Sequence, residues 1–250
     1  MNFIEEKNNK LHVKKVDMKA DYPLCNDLKE PLNALAYSGR LTGICGYSGS
    51  GKTSLLVNIL SNKKVNGERQ SLRECFHNIY ICSPSLHTLK NNIFEDIPEE
   101  YKTEQLTNEF LQKIYDDAEE RKQDDDIEHS LVVFDDVGNE LRDKDTEKLF
   151  NKLIANRRHM NISIIIIVQA LKMMNPKSRT NLNVLISFRP KSIQEREAIY
   201  EYTERPKKLI NDFYNFFFPE NEKHNFLFID MTLKDTNAFK FYKNYNRIKF

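Results

Sequence analysis

The chain has 250 residues, of which 40% are hydrophobic and 30% charged, and its formal net charge at pH 7 is +1. This composition is typical of a globular protein, and the length suits one large α/β domain or two small ones. Because no apolar run approaches the ~20 residues that span a bilayer and the N-terminus lacks the pattern of a signal peptide, we expect a soluble intracellular protein without a transmembrane segment. The near-zero charge excludes an overall field that attracts nucleic acid, although it does not exclude a DNA partner.

The first strong signal along the chain is a phosphate-binding loop. Residues 46–53 read Gly-Tyr-Ser-Gly-Ser-Gly-Lys-Thr and match the pattern G-x-x-x-x-G-K-[ST] in full. In such a loop, backbone N–H groups cradle phosphate oxygens, Lys52 reaches the β- and γ-phosphates, and the Thr53 hydroxyl completes the shell of a bound Mg²⁺. A strand predicted over residues 40–45 and an amphipathic helix predicted over residues 54–60 flank the loop as this site requires. The expected nucleotide ligands are Gly46, Tyr47, Ser48, Gly49, Ser50, Gly51, Lys52, Thr53 and Ser54.

The four cysteines form no C-x-x-C pair. One group resembles zinc ligands, namely Cys75, His77, Cys82 and His87. However, Cys82 lies inside the apolar run 79–82, where a small buried thiol is ordinary. We therefore expect Cys25, Cys45, Cys75 and Cys82 to be free and reduced, with no metal bound to them.

Two carboxylates follow the next long apolar run. Residues 131–134 read Leu-Val-Val-Phe, and Asp135 and Asp136 come directly after them. Because the carboxyl ends of parallel strands meet at one edge of a sheet, these side chains are expected to face the phosphate loop. Asp135 would hold Mg²⁺ together with Thr53, and Asp136 would polarise the attacking water as a general base. The alternative is that an aspartate caps a helix after the strand, and this accounts for only one of the two aspartates.

A third apolar strand is predicted over residues 161–168 and is followed by Gln169. The same edge argument places this amide near the γ-phosphate, where it can orient the water or sense the loss of phosphate. An amide satisfied at the edge of the core is the alternative. Arg157 and Arg158 end the helix before this strand, at the opposite edge of the sheet. They are expected to act only on a neighbouring subunit, as an arginine finger in trans, or else simply to favour the helix C-terminus.

The C-terminal third contains one more apolar strand, two helices and a hairpin. The strand over residues 183–188 ends at Arg189, which either approaches the phosphates or caps the sheet. Helices are predicted over residues 192–202 and 207–217, and hairpin strands over residues 225–230 and 238–243, with a turn at 234–237. The expected fold is an α/β, three-layer P-loop NTPase fold with a mostly parallel central sheet flanked by helices, plus the hairpin. Its segments are an N-terminal extension (1–39), a nucleotide-binding core (40–190) and a C-terminal part (191–250) that belongs to the same domain.

The combined motifs resemble the FtsK–HerA superfamily of pumping ATPases. Within it, the segment 156–163, Asn-Arg-Arg-His-Met-Asn-Ile-Ser, resembles the DNA-packaging ATPases of large DNA viruses, the poxvirus-type branch, and the resemblance covers residues 43–190. It implies a Mg²⁺-dependent ATPase that assembles into a homo-oligomeric ring and translocates double-stranded DNA into a preformed capsid. It also implies capsid or membrane-vertex partners and a location in the virion or a cytoplasmic virus factory. Many superfamily members have glutamate where this chain has Asp136, and the shorter side chain changes its reach to the water.

Two other functions remain open at this stage. A P-loop kinase for a small substrate shares the phosphate loop but needs neither the glutamine strand nor a ring. A nucleotide-gated assembly subunit would bind ATP with little turnover, which the two carboxylates disfavour. The residues give no motif for the nucleobase, so the preference between ATP and GTP is also open.

Overall fold

The computed structural model describes residues 22–61, 64–65, 68–69, 71–86, 94–123, 127–138, 140–203, 205–232 and 239–249. In these ranges the strands are β1 Leu41–Cys45, β2 Lys64–Val65, β3 Glu68–Arg69, β4 Asn78–Cys82, β5 Lys102–Thr103, β6 Ser130–Asp135, β7 Ile162–Val168, β8 Val184–Phe188, β9 Phe226–Asp230, β10 Lys240–Lys243 and β11 Asn246–Ile248. The α-helices are α1 Lys52–Leu60, α2 Asn108–Gln123, α3 Lys144–Asn156, α4 Pro176–Thr180, α5 Ile193–Glu201 and α6 Ile210–Phe217.

One mixed sheet organises the described part of the chain. Its nine strands lie in the order β11-β10-β9-β8-β1-β7-β6-β4-β5, while β2 and β3 form a separate pair. Six neighbouring strands are parallel to one another, namely β8, β1, β7, β6, β4 and β5. The strands β9, β10 and β11 each pair antiparallel with the strand before them in the chain. The predicted α/β fold with a mostly parallel sheet and a C-terminal hairpin is confirmed. The hairpin pairs directly with β8 and so continues the central sheet; its predicted turn at 234–237 lies outside the described residues.

The central strands are buried on both faces because they are apolar along their whole length. All seven residues of β7, all six of β6 and all five of β1 are buried. Side chains of α2, α3, α5 and α6 cover one face of the sheet, and side chains of α1 and of the segment before β1 cover the other. This three-layer arrangement is the usual solution for a parallel sheet, which must be covered on both sides. The division of the chain into three segments remains a prediction.

The structure corrects the prediction that all cysteines are free. Cys25 and Cys75 form a disulfide, with their Cα atoms 5.6 Å apart, whereas Cys45 and Cys82 are buried thiols. Fifty residues separate the bonded pair in sequence, and only the tertiary fold brings the N-terminal segment against the turn before β4. His87 lies outside the described residues. Within the described ranges, no group of three or more His, Cys, Asp or Glu side chains is arranged to hold a metal ion, and no helix is both long and apolar enough to cross a membrane.

Candidate functional site

The phosphate loop joins β1 to α1 in a conformation that depends on its glycines. Gly49 has a φ of 78° and Gly51 a φ of 111°, in the left-handed region that favours glycine. At Gly46 a Cβ atom would lie 2.7 Å from Phe188 Cβ and 2.7 Å from Ser50 Oγ, so any side chain would clash. The Ser50 hydroxyl is buried, and no hydrogen-bond partner for it lies among the described residues. A curled loop with an unsatisfied buried hydroxyl fits an anion with several acceptor oxygens.

Lys52 folds back over the loop that it belongs to. Its Nζ donates hydrogen bonds to the carbonyl oxygens of Gly46 (2.5 Å) and Tyr47 (3.1 Å). Burial lowers the pKa of Lys52, and the nearby carboxylates of Asp135 and Asp136 oppose this shift. The ammonium is therefore positioned between the loop and the end of β6, as a group that binds the β- and γ-phosphates has to be.

Asp135 is the last residue of β6, and its carboxylate is buried at the sheet edge beside the loop. The side chain is 7% exposed, and Ser83 Oγ donates a hydrogen bond of 2.9 Å to its Oδ2. Burial raises the pKa of Asp135; the Ser83 hydrogen bond lowers it, Asp136 adds to the increase, and Lys52 opposes it. Ser83 follows β4, the neighbour of β6, and was not identified from the sequence. The edge argument applied to the run 79–82 would have pointed to it.

Asp136 and Gln169 are brought together at the same edge, on its solvent side. Asp136 has a φ of 56°, and its backbone N–H donates to Ile167 O at 3.0 Å, which turns the exposed side chain away from the strand. Gln169 Nε2 donates a hydrogen bond of 3.3 Å to Asp136 Oδ2. The loop that carries Gln169 is held by Glu195 of α5, a buried carboxylate that accepts a hydrogen bond from the backbone N–H of Leu171.

Arg157 lies at the opposite edge, and its guanidinium is used within its own subunit. It is 4% exposed and donates hydrogen bonds to Gly39 O (3.0 Å) and Ile154 O (2.7 Å). It also donates weaker ones to Asn181 O (3.3 Å) and Asn183 Oδ1 (3.4 Å). These contacts join the end of α3 to the starts of β1 and β8, a structural role. Arg158, beside it, is half-buried.

Arg189 lies on the loop side of the sheet, in the segment after β8. It lines a shallow depression together with Tyr47, Lys191 and Arg196, and Lys191 Nζ lies 4.2 Å from the centroid of the Tyr47 ring. This basic group borders the phosphate loop from the same subunit. Both roles considered for Arg189, an approach to the phosphates in cis and a cap of the sheet, stay predictions.

The donor set also fits the expected divalent cation. Thr53, half-buried in the first turn of α1, offers a hydroxyl, and Asp135 offers a buried carboxylate. Both are hard oxygen ligands of the kind that Mg²⁺ takes alongside phosphate oxygens and water. No nitrogen or sulfur ligand is part of this group.

The chain resembles known proteins in family and in fold. Residues 33–238 match the model of the family described as Poxvirus A32 protein. A search of curated proteins found no match. Among solved structures, the DNA-packaging ATPase B204 of Sulfolobus turreted icosahedral virus is 13% identical, with a TM-score of 0.56, and the alignment covers 82% of this chain and 98% of B204.

Two further solved structures have the same fold. The genome-packaging NTPase B204 of Sulfolobus turreted icosahedral virus 2, in complex with ATP-gammaS, is 15% identical with a TM-score of 0.55, covering 82% of this chain and 97% of that one. EccC (ATPases 2 and 3) of Thermomonospora curvata is 13% identical with a TM-score of 0.51, and the alignment covers 84% of this chain and 38% of the EccC chain. At this level of identity the comparison establishes a shared fold.

Proposed function

Because this chain belongs to the poxvirus A32 protein family, we propose that it is a viral genome-packaging ATPase that translocates double-stranded DNA into a preformed capsid. The observation that carries this proposal is the meeting of Lys52, Asp135 and Asp136 at one sheet edge, next to a loop shaped for phosphates. The sequence motifs that resemble pumping ATPases lie on those same residues. Solved structures of similar fold include a viral genome-packaging NTPase in complex with the nucleotide analogues ATP-gammaS and AMPPCP.

The positions of the side chains support the following hydrolytic roles. Lys52 exchanges its two carbonyl partners for phosphate oxygens when ATP binds. A Mg²⁺ ion held by Thr53 and Asp135 would neutralise charge on the β- and γ-phosphates. Asp136 accepts a proton from the attacking water while the water oxygen bonds to the γ-phosphorus, the bond to the bridging oxygen breaks, and ADP leaves. Gln169, hydrogen-bonded to Asp136, orients that water.

The proposal includes a ring of identical subunits around the DNA. Arg158, half-buried at the edge opposite the nucleotide, is the better candidate for a finger in trans, because Arg157 is held by its own backbone neighbours. Such fingers contribute about 10³–10⁵ in rate in other nucleotide hydrolases. Capsid or membrane-vertex partners, and a place in the virion or virus factory, follow from the family resemblance.

Phosphate release measured with and without long duplex DNA, alongside the solution mass, tests this function. We expect DNA-stimulated hydrolysis by an oligomer, lost in Lys52→Ala. Hydrolysis by Lys52→Ala at the parental rate would overturn the assignment of the site. A phosphorylated small product without DNA stimulation would identify a kinase instead, and tight ATP binding without phosphate release would identify a nucleotide-gated subunit.

A further inference from the structure

A cavity of about 820 Å³ opens beside the phosphate loop, on the side away from Asp135 and Asp136. Its floor is formed by Gly51, Thr53 and other residues at the start of α1. The remaining walls come from segments distant in sequence: the residues before β1, the end of β8 and the C-terminal strands. The start of α1 includes Lys52 and Thr53, so the cavity adjoins the phosphate site, whereas its other walls carry none of the hydrolytic roles assigned above.

Three aromatic side chains form a continuous row along one wall. The Phe188 and Phe226 ring centroids are 5.7 Å apart, and those of Phe226 and Tyr245 are 5.4 Å apart. The row begins at the loop, because a Cβ on Gly51 would lie 3.3 Å from Phe188 Cε1. Phe188 and Phe226 are buried, but Tyr245 is 44% exposed and borders the cavity at the outer end of the row. An exposed ring at this position offers a stacking surface for a planar group.

The turn that carries Tyr245 is firmly attached to the rest of the wall. Asn244, with a φ of 56°, donates its backbone N–H to Phe226 O (2.8 Å), and its Oδ1 accepts the Phe226 N–H (3.0 Å). Closer to the nucleotide, His224 Nδ1 lies 3.0 Å from the carbonyl oxygen of Ser50 in the phosphate loop. Tyr245 is therefore held at a defined place relative to the loop.

The facing wall is attached to the same C-terminal strands. Glu30 accepts hydrogen bonds from Tyr242 Oη (2.9 Å) and Arg247 Nη1 (3.1 Å), and it also pairs with Lys240. The hydrogen bond from Lys240 is the largest cause that lowers the pKa of Glu30, with contributions from Tyr242 and Arg247. This carboxylate fastens the segment that includes Pro31 to β10 and β11, so the cavity has two fixed walls.

We propose that this cavity is the nucleobase and ribose subsite and that Tyr245 stacks on the base. The proposal rests on the proposed function, because it requires triphosphate in the loop. Lys52 and the carboxylates mark where the γ-phosphate lies, towards β6 and β7. A nucleotide oriented in that way directs its base towards β8 and β9, where the cavity is. The C-terminal strands thereby become part of the ATP site.

Calorimetric titration with ATPγS and with tripolyphosphate tests the subsite. Stacking on one aromatic ring contributes enough that we expect Tyr245→Ala to weaken ATPγS binding roughly 10- to 100-fold. Tripolyphosphate binding should stay within about twofold of the parent, and Tyr245→Phe should restore ATPγS binding. Phe216→Ala is the matched control, because Phe216 is 49% exposed and lies outside the cavity lining.

The outcomes separate this proposal from the proposed function. ATPγS affinity within twofold of the parent in Tyr245→Ala would overturn the subsite, even if Lys52→Ala abolishes binding of both ligands. An equal loss for tripolyphosphate would also overturn it, because the variant would then act on the phosphate loop. Unchanged binding of both ligands by Lys52→Ala would instead refute the phosphate site itself.

Discussion

Replacing Ser83 by alanine should change the pH dependence of hydrolysis in a way that can be worked out from the structure. The hydroxyl donates a 2.9 Å hydrogen bond to Asp135, and both side chains are more than 90% buried. A hydrogen bond to a charged group contributes about 1.5–3 kcal/mol, and this one stabilises only the ionised carboxylate. Its loss therefore raises the pKa of Asp135 further, because burial and the neighbouring Asp136 already raise that pKa and one of the two opposing interactions is gone.

The assay is the pH profile of kcat/KM for phosphate release, because kcat/KM reports pKa values of the free enzyme. The acid limb of the profile should move to higher pH in Ser83→Ala, because the carboxylate of Asp135 is then harder to ionise. Ser83→Thr should retain the parental limb. Ser163→Ala serves as the control, because Ser163 is an equally buried serine whose hydroxyl donates to Tyr37 O (2.8 Å) at the opposite edge. A folded Ser83→Ala protein with an unmoved acid limb would refute the reasoning.

Three further predictions concern residues outside the hydrolytic centre. Arg157→Ala should lower the free energy of unfolding in urea by about 3 kcal/mol or more, because it leaves buried carbonyls unpaired. Arg158→Ala should keep a free energy of unfolding within about 1 kcal/mol of the parent, but it should reduce the activity of mixed rings. Reducing the Cys25–Cys75 disulfide should cost about 2–4 kcal/mol, measured by thermal unfolding with and without reductant. Burial lowers the pKa of His129 to about 4 from 6.5. The stability that the neutral imidazole contributes to the fold is therefore complete above pH 6.5 and is lost as the pH falls towards 4. His129→Gln should remove up to about 3 kcal/mol of this acid destabilisation.

Each of these predictions has a control and a contradicting result. Parental stability in Arg157→Ala would show that its hydrogen bonds do not support the fold. A Cys25→Ser, Cys75→Ser double variant should not respond to reductant, and a response would place the effect elsewhere. His159→Gln, altered at an exposed histidine, should keep the parental acid sensitivity; an equal change in that variant would contradict the role of buried His129.

The parts of the site that could be predicted from sequence are those carried by local patterns. β1, β6 and β7 are apolar along their length, and parallel strands place their carboxyl ends together, so the meeting of Lys52 with Asp135 required no knowledge of distant contacts. The family and the fold are confirmed on the same motifs, and the family supports the predicted packaging function. The roles assigned to the individual site residues stay predictions.

The remaining features depend on which distant segments meet, and no local pattern encodes that. Ser83 is a single serine after a strand, and it gains its role only because β4 lies beside β6. The bonded cysteines are 50 residues apart. The hairpin was visible as alternating residues, but its pairing with β8, which brings Tyr245 to the phosphate loop, is a property of the sheet order.

The two ends of the proposed ATP site differ in how completely one subunit builds them. The side for the base has fixed walls, an aromatic row and a carboxylate, Glu30, that ties the walls together. The side for the γ-phosphate has Asp136 and Gln169 exposed to solvent, and the buried Arg157 is held far from it. Stabilising the transition state needs water excluded and positive charge beyond that of Lys52 at the γ-phosphate, so we expect a single subunit to bind ATP better than it hydrolyses it. This asymmetry supports the proposal that a neighbouring subunit completes the open side, so that hydrolysis waits for ring assembly.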